Sequence, residues 1–109
     1  MLGPLLGSKS KERVLMFLLV RGEGYAAEMA SFFETDLYGI KDQLDRLETG
    51  GVVVSRKVGR TRVYTSKPRN AFLEELKGLL EKTLDFYPGD LRKALLLNRR
   101  RPRQRGKPL

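Results

Sequence analysis

The sequence predicts a mainly α-helical domain that carries one small β-hairpin and an additional C-terminal helix. Three observations carry that expectation. Leu37, Ile40, Leu44 and Leu47 recur at spacings of 3, 4 and 3, which places them on one face of a helix. Directly after Gly50 and Gly51 the pattern changes to the β-branched run Val52-Val53-Val54, a strand signature. Helical periodicity then returns beyond Pro68. The 109 residues leave room for one compact domain.

Taken in order, residues 1–7 form an apolar arm, with Leu2, Leu5 and Leu6 interrupted by Gly3, Pro4 and Gly7. Glycine and proline argue against a helix there, so the leucines are expected to pack against a neighbouring helix or subunit. Ser8 offers an N-cap to a helix over 9–20. Its second half is apolar on every side, as a buried helix requires. A short helix follows over 26–33, with Met29, Phe32 and Phe33 on one side. Glu34-Thr35-Asp36 breaks the chain, and Thr35 or Asp36 caps the helix that runs to Thr49. Gly50-Gly51 supplies a left-handed stop. Strands over 52–58 and 61–65 are joined at Gly59-Arg60. Pro68 closes the hairpin, and Asn70 is the expected cap of a helix over 71–87. Pro88-Gly89 ends it, Asp90 caps a short helix over 91–97, and residues 98–109 form a basic tail. The layout is therefore an arm (1–7), a central domain (8–67), a helix (68–87), a short helix (88–97) and the tail (98–109).

Charge is placed unevenly. Twenty-two Lys plus Arg stand against thirteen Asp plus Glu, net +9: 22 Lys+Arg, 13 Asp+Glu. Arg56, Lys57, Arg60, Arg62, Lys67 and Arg69 lie in a stretch without an acid, and so do Arg99, Arg100, Arg101, Arg103, Arg105 and Lys107. Two basic patches on a slightly acidic body suggest a surface for a polyanion. The chain has no Cys and no His, which excludes disulfides, zinc knuckles and Ser–His or Cys–His catalysis. No cofactor or metal motif is present, and the carboxylates sit at helix-surface spacings as partners of Lys and Arg; the chain is not expected to be an enzyme. The run over 14–20 falls far short of the ~20 residues of a membrane helix. No signal peptide is apparent, and a cytoplasmic location is expected.

The order helix, helix, helix, hairpin, helix is that of a winged helix-turn-helix. The segment over 8–66 resembles the DNA-binding domains of ArsR/MarR-type transcriptional regulators. The match rests on Tyr25-Ala26-Ala27-Glu28-Met29-Ala30, on Ile40-Lys41-Asp42-Gln43-Leu44-Asp45-Arg46-Leu47-Glu48-Thr49-Gly50-Gly51-Val52-Val53, and on Ser55-Arg56-Lys57-Val58-Gly59-Arg60-Thr61-Arg62-Val63-Tyr64. That resemblance implies a homodimeric regulator of double-stranded DNA, with the helix after the break in the major groove and the hairpin, the wing, on phosphates or in the minor groove. Tyr38, Lys41, Gln43 and Arg46 are then the candidate readers, Gln43 for adenine and Lys41 or Arg46 for guanine or phosphate. Arg56, Lys57, Arg60 and Arg62 are the wing's candidates. Asp42 and Asp45 stand on or beside the same face and repel phosphate.

Phe72, Leu76, Leu79, Thr83 and Phe86 recur at 4, 3, 4 and 3, a heptad-like seam suited to pairing two subunits. Leu2, Leu5 and Leu6 are candidates to join that interface, while Leu73, Leu80 and Leu84 face the body. Two other readings stay open at this point. One is a winged helix on structured RNA, in a ribosome-associated setting, for which the arginine tail is suited. The other is a protein-interaction module in which Asp42 and Asp45 mark a surface not used on nucleic acid.

Overall fold

The structure is a computed structural model that describes residues 2–97. Its helices are α1 (Gly3–Leu6), α2 (Lys9–Arg21), α3 (Ala26–Phe33), α4 (Leu37–Thr49), α5 (Leu73–Leu84) and α6 (Gly89–Leu97). Its strands are β1 (Glu23–Gly24), β2 (Val53–Val58) and β3 (Thr61–Ser66). The arm is a correction: 3–6 is helical, because Pro4 occupies the first turn, where its missing N–H is no loss, and Gly7 closes the turn in the left-handed conformation. Ser8 caps α2 as expected, its hydroxyl accepting from the Lys11 amide at 2.9 Å.

The sheet is also larger than a hairpin. Its order is β1-β3-β2, all antiparallel. Two residues of β1 pair Glu23 with Thr65 and Gly24 with Tyr64. Gly24 is required there by close approach: a Cβ would stand 2.6 Å from Cε1 of Phe17. The hairpin pairs Val58 with Thr61, leaving Gly59-Arg60 as a two-residue loop. Gly59 has φ 64, the positive value such tight turns need at their first central residue.

The C-terminal helices begin and end differently from expectation. Asn70 does not cap a helix at Ala71. Its Oδ1 accepts from the Phe72 amide and its Nδ2 donates to the Gly51 carbonyl at 2.8 Å, so α5 starts at Leu73. The far end tightens: Phe86 and Tyr87 amides bond to Thr83 and Leu84 carbonyls, three residues back. The last helix starts at Gly89 rather than Leu91, since the Pro88 carbonyl already accepts from the Arg92 amide.

Helix α2 is the centre of the molecule. Val14, Met16 and Phe17 are fully buried, and Met29 (α3), Ile40 and Leu44 (α4), Val53 (β2) and Leu95 (α6) complete the most enclosed part of the core. The expectation of a helix buried on all sides holds. Two charged residues of α2 are buried with it, Glu12 and Arg21. Arg21 lies 4.8 Å from the ring centres of both Phe17 and Phe32, and its Nε and Nη2 donate to the Leu95 and Ala94 carbonyls. Those are carbonyls of the last turn of α6. Glu12 accepts from the Tyr87 hydroxyl at 2.6 Å and from the Leu2 amide at 2.6 Å.

Burial raises the Glu12 pKa, the hydrogen bonds from Tyr87 and Leu2 lower it, and the net lies below the ordinary Glu value. Burial and the Glu12 carboxylate push the Tyr87 hydroxyl well above the usual tyrosine range. A carboxyl with a depressed folded pKa stabilises the fold fully above its unfolded pKa, and the contribution fades as pH falls through the folded value. Tyr87→Phe is therefore expected to cost roughly 1.5–3 kcal/mol at pH 7, the range for a hydrogen bond to a charged group. It should also flatten the loss of stability as the pH falls below the ordinary Glu value of 4.5. Urea denaturation across that pH range checks both.

Candidate nucleic-acid interface

Helix α4 is fixed at its start by Asp36, whose Oδ2 accepts from the Gly39 amide at 3.0 Å, so of the two expected caps it is Asp36 that acts. Ile40, Leu44 and Leu47 turn inward. Leu37 does not join them: it stands at the first position of the helix, beyond the core, and is 43% exposed. At 100° per residue, the side opposite the buried stripe carries Tyr38, Asp42, Asp45 and Thr49. Tyr38 is 75% exposed. Lys41 flanks this crest on the side of the wing and Arg46 on the other. Arg46 is engaged by Asp42 at 3.0 Å.

Gln43 departs from the expected reading face. It lies beside the buried stripe, on the flank next to Gly39, which faces Ser10 of α2. Its Oε1 is buried without a hydrogen-bond partner among the described residues. The spacing that placed it on an open side ignored that α4 packs along α2 as well as against the sheet.

The wing divides its cations between two faces. Directly paired residues share a face, so Lys57 and Arg62 stand together, on the side of Ser55 and the buried Tyr64. Arg56 stands on the opposite face and is paired with Glu23 of β1 at 2.9 Å. Arg62 Nη1 donates to Ser55 Oγ at 2.9 Å, and Ser55 Oγ donates to Glu48 Oε2 of α4 at 2.7 Å. That relay joins wing to helix. Among the described residues Lys57 and Arg60 make no ion pair. Neither the Glu23–Arg56 pair nor the relay was foreseen, since the first joins residues 33 apart with no local signal.

Between α4 and the wing runs an open groove of about 490 Å³. Lys41, Arg60 and Arg62 bring positive charge to it, and Asp45 and Glu48 bring negative charge. Tyr64 closes its floor, its hydroxyl pushed up in pKa by burial first and then by Asp45 and Glu48. A second cleft, about 380 Å³, opens between α2, α3 and the α5–α6 turn, with Glu12, Phe33 and Tyr87 in its walls. Among the described residues no group of three or more acidic side chains is placed to hold a metal ion, and no helix is long and apolar enough to cross a membrane.

Neither a protein-family model nor a curated protein sequence matches the chain. Solved structures do. A double mutant of Lactococcus lactis ZitR in apo form superposes with a TM-score of 0.55 at 14% identity, over 80% of this chain and 74% of that one. A second structure of the same double mutant gives 0.50 at 10% identity, over 80% and 67%. The fold is a winged helix-turn-helix. Helix α3, the turn through Glu34 and helix α4 form its helix-turn-helix, and β2–β3 its wing.

The seam expected on the C-terminal helix is split by this winged-helix body. Phe72 and Phe86 are 73% and 66% exposed, while Leu76 and Leu79 are half-buried. Thr83 turns inward and donates to the Leu79 carbonyl at 2.8 Å. Leu2 and Leu6 pack on the core, and of the arm's three leucines Leu5 is the largely exposed one. The tail over 98–109 lies outside the described residues.

The buried Gln43 acceptor gives a direct test of these placements. Gln43→Met keeps the side-chain length and removes the unpartnered oxygen, and is expected to stabilise the fold by about 1 kcal/mol. A fall in the urea midpoint would show instead that Oε1 is hydrogen-bonded.

Proposed function

We propose that this winged helix-turn-helix protein is a homodimeric transcriptional regulator that binds double-stranded DNA, with α4 in the major groove and the wing against the backbone or the adjacent minor groove. One observation carries the reading: the exposed face of α4 is flanked by Lys41 and, across the groove, by Arg60 and Arg62, with Lys57 on the same face of the wing as Arg62. A helix of this width fits the ~12 Å major groove, and the wing's side chains then meet phosphates. Arg56 belongs to the other face of the wing and is a weaker candidate, being held by Glu23. The candidates for base contact are Tyr38, Lys41 and Arg46; Gln43 drops out.

Binding to duplex DNA should weaken steeply with salt, with a log–log slope of about −0.9 per phosphate contacted. Arg60→Ala combined with Arg62→Ala should lower affinity on all sequences alike and make that slope shallower by about 2. Titration of a fluorescent duplex at several salt concentrations measures both. A chain that binds duplex RNA and ignores duplex DNA at low salt would favour the RNA reading instead.

For the dimer, Phe72 and Phe86 are the informative positions, because their exposure in the single chain means substitution leaves the core intact. Phe72→Glu with Phe86→Glu is expected to give a folded monomer by sedimentation where the parent is a dimer. A variant that remains dimeric would move the interface elsewhere.

A further inference from the structure

The crest of α4 holds one fixed polar contact: Arg46 Nε donates to Asp42 Oδ2 at 3.0 Å, one helical turn away. Both side chains are solvent-accessible, at 68% and 38%, so the pair contributes little to stability. Its consequence is positional. With Nε claimed by the carboxylate, the guanidinium keeps its two Nη groups, and neither has a partner among the described residues. Two parallel N–H donors in a rigid fork are the complement of guanine O6 and N7 in the major groove.

Asp42 adds a discrimination of its own. An ionised carboxylate only accepts hydrogen bonds. It is attracted by the amine of cytosine N4, and it is repelled by guanine O6, thymine O4 and phosphate. Neutralised by Asp42, Arg46 is also a poorer general ligand for phosphate than a free arginine. Gln43, the one amide on α4 suited to read adenine, has its oxygen buried at the flank. The chemistry left on the crest therefore favours G·C over A·T.

Resting on the reading of α4 as the helix in the major groove, we propose that Asp42 and Arg46 form one base-reading unit that selects a G·C pair. Arg46 contacts guanine through its Nη groups, and Asp42 is the positioning residue that holds it. The pair exchanges general affinity for sequence discrimination.

The test uses the full chain with a pool of random duplexes, followed by single duplexes in which each G·C pair of the selected sequence is changed to A·T. The parent protein should show one G·C position whose replacement weakens binding roughly ten- to hundredfold. Arg46→Lys should lose that preference, since an ammonium cannot make the two parallel bonds. Asp42→Ala should lose it too, while binding random duplex more tightly and with a salt slope steeper by about 1, as the freed Arg46 turns to phosphate. Thermal midpoints should be unchanged in both variants. An Asp42→Ala protein that keeps the preference overturns the proposal, and so does a parent protein that binds duplex without it. Absence of any duplex binding by the parent overturns the DNA reading, and this inference with it.

Discussion

Helix α2 is enclosed on every side, and the rest of the molecule is arranged to meet that constraint. A helix whose apolar side chains point in all directions needs partners all around it. Here α1, α3, α4, the sheet, α5 and α6 each supply one. Enclosure also takes Glu12 and Arg21 out of water, and a buried charge left unpaired is strongly destabilising. Both charges are therefore matched internally, and each takes a partner from the segment over 87–95. Arg21 donates to the Leu95 and Ala94 carbonyls of α6 from beside two phenylalanine rings. Glu12 takes the hydroxyl of Tyr87 just before α6 begins. The two contacts clamp the α5–α6 segment onto α2, which in turn supports α3 and α4.

This arrangement leaves α4 with three distinct sides. One is core, one runs along α2, and one faces solvent and the wing. Gln43 belongs to the second and Leu37 to none of them fully, so the exposed crest is narrower than a helical wheel of the isolated segment suggests. The same division applies to the wing. Its pleat sends Lys57 and Arg62 to the side of α4 and Arg56 to the other. Local positive charge is thus delivered in a specific direction, while Glu23, Asp42, Asp45 and Glu48 hold part of it in pairs or balance it nearby. A net charge of +9 describes the whole chain, but the field at the groove comes from a few side chains whose directions the fold sets.

Periodicity, caps and turn residues were sufficient to read much of this structure. The spacing of Leu37, Ile40, Leu44 and Leu47, the Ser8 and Asp36 caps, and the Gly59 turn are local features, and the elements they specify occur at nearly the expected bounds. Where local signals conflicted, contacts from elsewhere decided. Gly3 and Pro4 read as helix breakers, yet α1 forms with Leu6 packed on the core. Asn70 has the chemistry of a helix cap, but its side chain reaches back to Gly51 and delays α5. Strand β1 has two residues and no sequence signature, and exists because β3 offers it an edge beside Phe17.

The sequence by itself determined the order of elements, the buried character of α2 and the presence of a basic hairpin after an amphipathic helix, since each follows from the chemistry of neighbouring residues. Only the tertiary structure decided which polar side chains look outward. Gln43 turned in, Thr83 turned in, and Arg56 went to the far face of the wing. Those outcomes depend on what packs against each element from distant parts of the chain, and a one-dimensional pattern contains no record of that.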